Sequence, residues 1–179
     1  MNIKKATQTF VIALAMMIML AIGSTTAFGQ RQLTDEQSTN EQSNALVGVW
    51  ESVAPAAIDC QTGMPIPGPT IRALYTFNQG GTMSEENTDP IEGPFRTSAA
   101  GIWKRTFGRN YVTVYTHYGF DPVSRELAAI VKARTNIMLS RDSDSFTERG
   151  TFEVLDPNGN PFPEPITGCF AATWHRLKF

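Results

Sequence analysis

The side chains best suited to chemistry sit in two short runs, "YTHYGFD" and "FTERGTF". In the first, Tyr115 and His117 are two residues apart, a spacing that puts both on one face of a β-strand and Tyr118 on the other. An imidazole beside a phenol on one face can carry a proton. In the second, Glu148 shares its alternation face with Phe146 and Phe152. A carboxylate enclosed among aromatic rings has a raised pKa and suits general acid–base work. The bland alternatives are a half-exposed strand histidine, and a bulge at Gly150 that turns Glu148 to solvent. Tyr75, Phe77, Trp103, Phe107, Phe146 and Phe152 each lie on one alternation face of their own strands. Enclosed, they either line a cavity for a small apolar molecule or fill the interior solidly.

Other chemistries find little support. His117 and His175 are the only histidines and have no paired-ligand spacing, so no zinc site is expected. "DPNGN" and "RDSDS" are oxygen-rich, but neither completes a calcium-ligand register, and both suit tight turns. No phosphate-binding glycine loop, serine elbow or Cys–His nucleophile signature occurs, and "NQGG" turns between strands without opening a helix. No metal or cofactor is therefore expected.

The elements that must hold these residues are all of β type. From Ala45 onward, eight runs alternate between turn signals: "LVGVWESVA", "TIRALYTF", "TMSEEN", "AGIWKRTF", "YVTVYTHYGF", "LAAIVKARTNIMLS", "SFTERGTFEVL" and "ITGCFAATWHRLKF". Only "SRELAAIVKA" approaches a helical stripe. Eight strands joined by hairpins predict an antiparallel up-and-down meander, and closure of the first strand on the last removes its two open edges. A closed all-β barrel is the expected architecture, with a two-sheet sandwich as the alternative.

Residues 1–29 carry the order of a secretory signal peptide: Lys4 and Lys5, the apolar run "FVIALAMMIMLAIG", then small residues, with cleavage after Ala27 or Gly29. A retained N-terminal anchor is the alternative. Residues 30–44, "QRQLTDEQSTNEQSN", are too polar to offset their ordering entropy and are expected to be a disordered leader before a single domain, 45–179. Removal of the peptide leaves 13 basic against 17 acidic side chains, a net charge of −4. Such a scattered, mildly acidic surface offers no footprint for nucleic acid, and no membrane span is expected once the signal is gone. The two cysteines, Cys60 and Cys169, read as a disulfide in an exported, periplasmic or secreted setting, with two free buried thiols as the alternative.

"GVW" at 48–50, on the first strand of an exported eight-stranded meander, resembles the Gly-x-Trp signature of the lipocalins and the wider calycin group. The resemblance implies that a basic residue of the last strand, Arg176 in "TWHRLKF", packs over Trp50 and closes one end of the barrel, with Gly48 permitting close approach. The lipocalins' second turn motif is not found. "GIW" at 101–103 is similar to the recurring Gly-x-Trp strands of the avidin branch. The runs "FNQGGTM", "GIWKR" and "LDPNGN" resemble a family of small exported bacterial proteins with lipocalin-like barrels and no assigned activity.

Three functional expectations follow. The first is a non-catalytic carrier of a small hydrophobic ligand. The second is a barrel enzyme similar to allene oxide cyclase and the dirigent-like cyclases, using His117, Tyr115 and Glu148. The third is a solid-cored interaction module working through its proline-rich loops, 61–69 and 157–165.

Overall fold

Period-two alternation decides each strand and each face. The computed structural model describes residues 45–88 and 95–178, so the proposed signal peptide (1–29) and leader (30–44) lie outside the described residues. Eight strands follow in order: β1 Gly48–Pro55, β2 Thr70–Phe77, β3 Thr82–Asn87, β4 Ala99–Phe107, β5 Asn110–Phe120, β6 Leu127–Leu139, β7 Ser145–Leu155 and β8 Pro161–Arg176. Strand β5 buries Tyr111, Thr113, Tyr115 and His117 and turns Val114 and Tyr118 outward. The near-helical run lies in β6, which buries Val131, Ala133, Thr135, Ile137 and Leu139. Among the described residues, no helix is long and apolar enough to cross a membrane.

Each strand pairs antiparallel with the next, and β1 pairs with β8, so the sheet is a closed eight-stranded barrel. The hairpins are built by side chains that replace backbone hydrogen bonds. Asp156 Oδ1 accepts from the backbone nitrogens of Asn158 and Asn160, and Gly159 adopts φ 84°. Asp121 Oδ1 does the same for Val123 and Ser124. The oxygen-rich "DPNGN" is thus a hairpin turn. The proline-rich stretch expected as loop 157–165 partly joins β8, where the pairing jumps from Leu155–Pro161 to Val154–Ile166. Pro163 and Pro165 fall in that gap in the register, where no pairing needs their missing N–H.

The β1–β8 seam has two paired positions, Trp50 with Arg176 and Glu51 with His175. Side chains reinforce it along its length. The Arg176 guanidinium lies 4.1 Å over the Trp50 ring. Its Nε donates to Ser143 O at 3.0 Å, its Nη1 to Val47 O at 2.8 Å and its Nη2 to Ala45 O. A Cβ on Gly48, which has φ 141°, would stand 2.5 Å from that Nη1, so the glycine makes room for a guanidinium. Midway, Ser52 Oγ donates to Thr173 O at 2.7 Å. At the far end Ile58 N donates to Cys169 O, and the Cys60–Cys169 disulfide closes a separation of 109 residues. The chain-entropy model assigns such a loop about 4–5 kcal/mol.

Below that seam the barrel is solid. Leu46, Trp50, Phe77, Met83, Trp103, Tyr111, Ile137, Leu139 and Phe146 fill one end. Trp50 meets Phe146 edge-on at 4.8 Å, and Phe77 meets Trp103 at 5.9 Å. Trp50 Nε1 donates to Leu46 O at 2.9 Å, so the fully buried indole leaves no polar atom unsatisfied. Truncating Trp50 to alanine empties this plug and strands the guanidinium above it. Trp50→Ala is expected to cost about 3–5 kcal/mol in urea unfolding. An unchanged midpoint would show that closure does not rest on the indole.

Candidate functional site

The other half of the lumen is open: a cavity of about 440 Å³ lies above the plug. Its lining is mostly apolar, with Ala54, Ala73, Val131 and Ala133 beside Phe152 and Phe170, and polar groups from several strands enter it. The glycines of β7 and β8 set its width. Gly150 pairs with Phe170 and Phe152 with Gly168, and each ring lies on the glycine opposite. A Cβ on Gly150 would stand 2.5 Å from Phe170 Cζ. Register is unbroken through Gly150, so no bulge intervenes and Glu148 points inward. On the opposite wall, Gly101 pairs with Tyr115, and a Cβ there would stand 2.5 Å from the Tyr115 Cβ. The glycine of the second Gly-x-Trp run thus lets β5 carry its tyrosine close.

Tyr115, His117 and Glu148 all line this cavity. Two of the six expected lining residues, Tyr75 and Phe152, do so as well. Phe77, Trp103 and Phe146 also face inward, but they belong to the solid end. Phe107 is corrected outright, being 83% exposed. The β4–β5 register shifts between Arg105 and Phe107, and one extra residue sends the ring to the other face.

At the floor, Glu148 is held by three elements. Its Oε2 accepts from Trp174 Nε1 at 2.8 Å, and its Oε1 accepts from Tyr75 Oη at 3.2 Å. Thr135, itself bonded to Thr113 at 2.7 Å, adds a further hydrogen bond to the carboxylate. Tyr75 Oη lies 3.0 Å from Tyr115 Oη, and the Tyr75 ring stacks on Trp174 at 3.8 Å. Burial lifts the Glu148 carboxyl from 4.5 to about 7, against the downward pull of those three donors, and Glu85 pushes it further up. Burial and then the Glu148 charge drive both tyrosine hydroxyls well above their usual value, so both remain protonated.

Sequence reasoning passed over a second group at the same cavity. Arg96 Nη2 meets Glu85 Oε2 at 2.6 Å, and Asn87 Nδ2 donates to Glu85 Oε1 at 2.6 Å. All three residues line the cavity. Glu85 was legible: it alternates with Met83 in "TMSEEN" and therefore shares the inward face. Arg96 lies between strands, where alternation carries no information. Among the described residues, no group of His, Cys, Asp and Glu is arranged to hold a metal ion. A further groove of about 810 Å³, lined from β1 and from β5 to β8 and reaching Tyr111 and Ile137, shares Ala54, Pro55, Glu148, Ala171 and Ala172 with the cavity.

Compared with family models, with curated proteins and with solved structures, the chain matches none.

The raised carboxyl makes stability fall with pH. A folded-state value above the unfolded 4.5 means that the native state holds its proton more tightly. Its contribution is complete below pH 4.5 and is lost as pH rises through about 7. At 1.36 kcal/mol per unit, the loss is about 3 kcal/mol. Glu148→Gln keeps the shape without the charge, so urea unfolding of wild type and variant between pH 5 and 8.5 should diverge as pH rises, the variant gaining by about that amount. Parallel curves would show that the folded-state Glu148 carboxyl is not raised above its unfolded value.

Proposed function

We propose that the protein is an exported, lipocalin-like barrel that binds one small molecule with an apolar body and a hydrogen-bonding end. The observation that carries this reading is the division of the lumen: solid at the Trp50 end, open over about 440 Å³ above it. That volume lies in the range of small-molecule pockets, and apolar walls with a few convergent polar groups are their usual composition. The disulfide suits an oxidising compartment, which supports export.

The convergence of Tyr115, His117 and Glu148 on the same cavity favours a second reading, a barrel enzyme that moves a proton on an apolar substrate. Glu148, at about 7, is poised to give or take that proton near neutrality. Turnover lost in Glu148→Gln, with ligand binding retained, would separate catalysis from carriage.

Binding itself has a direct measure. The uncharged dye N-phenyl-1-naphthylamine is expected to bind with one-to-one stoichiometry and enhanced fluorescence. Ala133→Phe fills the cavity from its wall and should weaken the dye at least tenfold while leaving a cooperative unfolding transition, because Ala133 borders the cavity and the added ring extends into it. Equal affinity in wild type and variant would place the dye elsewhere and remove the reading.

A further inference from the structure

Three hydroxyl-bearing groups run in a line from the barrel interior to the open cavity. All three line the cavity, and Tyr115, 8% exposed against 2% for Tyr75 and 1% for Glu148, is the least enclosed of them and the end of the chain. The contacts are Glu148 Oε1 to Tyr75 Oη at 3.2 Å and Tyr75 Oη to Tyr115 Oη at 3.0 Å. Each tyrosine has one proton to donate. When Glu148 is ionised, its Oε1 accepts a hydrogen bond from Tyr75, Tyr75 accepts one from Tyr115, and Tyr115 presents lone pairs to the cavity. When Glu148 is protonated, the chain runs the other way. Trp174 Nε1 is a donor only and already occupies Oε2, and with Thr135 keeping its donor role toward the carboxyl group the proton on Oε1 faces Tyr75. Tyr75 then donates to Tyr115, whose own proton is released toward the cavity.

We propose that this three-membered chain is a proton-coupled reader of ligand polarity, so that a ligand ending in a hydrogen-bond acceptor, a ketone or aldehyde oxygen, seats on the Tyr115 hydroxyl with uptake of a proton at Glu148. The proposal rests on the cavity being a ligand site and goes on to name the ligand's chemical end. One O–H bond forms at Glu148 and one breaks in the hydronium or buffer acid that supplies the proton, two hydroxyls rotate, and no other covalent bond changes. The titratable and charged groups around the chain are Tyr75 from β2, Glu85 from β3, Arg96 from the segment before β4, and Tyr115 and His117 from β5. Arg96 is paired with Glu85 at 2.6 Å, which leaves Glu148 and His117 as the groups whose charge must be told apart.

Two probes of nearly one shape separate the proposal from the pocket reading: 2-acetylnaphthalene, which ends in a carbonyl, and 2-ethylnaphthalene, which has no acceptor. Calorimetric titration of the purified protein in buffers of different ionisation enthalpy counts the protons bound. One net hydrogen bond is worth about tenfold in affinity. Binding of 2-acetylnaphthalene should therefore weaken about tenfold from pH 6 to 9 and take up about half a proton near pH 7.5. The ethyl compound should show neither effect. Glu148→Gln turns its amide nitrogen to Tyr75 and its oxygen to Trp174, so it should hold the acid-limit affinity at every pH with no proton uptake. His117→Gln should leave the pH dependence in place. Tyr115→Phe should abolish it while the ethyl compound still binds, a check independent of any folding defect at position 148. Ethylnaphthalene binding with a pH-independent acetyl compound overturns the proposal and leaves the pocket standing. Uptake that survives Glu148→Gln or vanishes in His117→Gln also overturns it. Failure of both probes to bind overturns the pocket reading and the proposal together.

Discussion

The Trp50 end of the barrel is sealed by one contact, the guanidinium of Arg176 lying on the indole of Trp50. Strands β1 and β8 share two paired positions, too few for a backbone ladder to hold the seam alone. Arg176 makes up the difference by direction instead of number. Its planar fork reaches three carbonyls on two separate segments, Ala45 and Val47 before β1 and Ser143 in the β6–β7 turn. Ser143 has φ 60°, an uncommon conformation for a non-glycine residue, and its carbonyl is the one that Nε uses. A lysine could not replace it, since one ammonium neither stacks flat nor divides its donors over that span. Closure at this end is what makes an interior of the other.

An interior closed at one end can bury a carboxyl group without losing it to water. Glu148 would be expensive in an apolar plug, and the barrel meets that cost with donors from β2, β6 and β8. The donors do not fully compensate, which is why the group sits near neutrality instead of with ordinary carboxylates. A fully satisfied carboxylate would have been fixed in one charge state. Incomplete compensation leaves the site with two states separated by little energy.

How far the sequence foretold this differs from residue to residue. Strand number, order and closure were legible, because alternation and turn chemistry are local signals that agree along the whole chain. The inward face of Tyr115, His117 and Glu148 was legible for the same reason. Height in the barrel was not. Phe77, Phe146 and Phe152 obey one rule of alternation, yet the first two fill the plug and the third lines the cavity. Alternation fixes which side of the sheet a residue takes; strand tilt and stagger, set by the closed ring, fix its level. Phe107 failed for a smaller reason, a register shift of one residue that no local signal announces. Arg96 was out of reach because its place beside Glu85 is made by the ring and not by its neighbours in sequence.

The plug and the cavity are therefore one device and not two. A stack runs from the seal to the floor: Trp50 against Phe146 at 4.8 Å, Phe146 against Trp174 at 5.7 Å, Trp174 against Tyr75 at 3.8 Å. The last two rings are also the ones that hold Glu148, through Trp174 Nε1 and Tyr75 Oη. Close-packed rings have few alternative positions, so the donors they carry are fixed in direction before any guest arrives. The floor can then respond to a proton by rotating hydroxyl hydrogens alone, with no heavy atom moving. Rigidity at the Trp50 end is what allows the polar end to have two states without having two shapes.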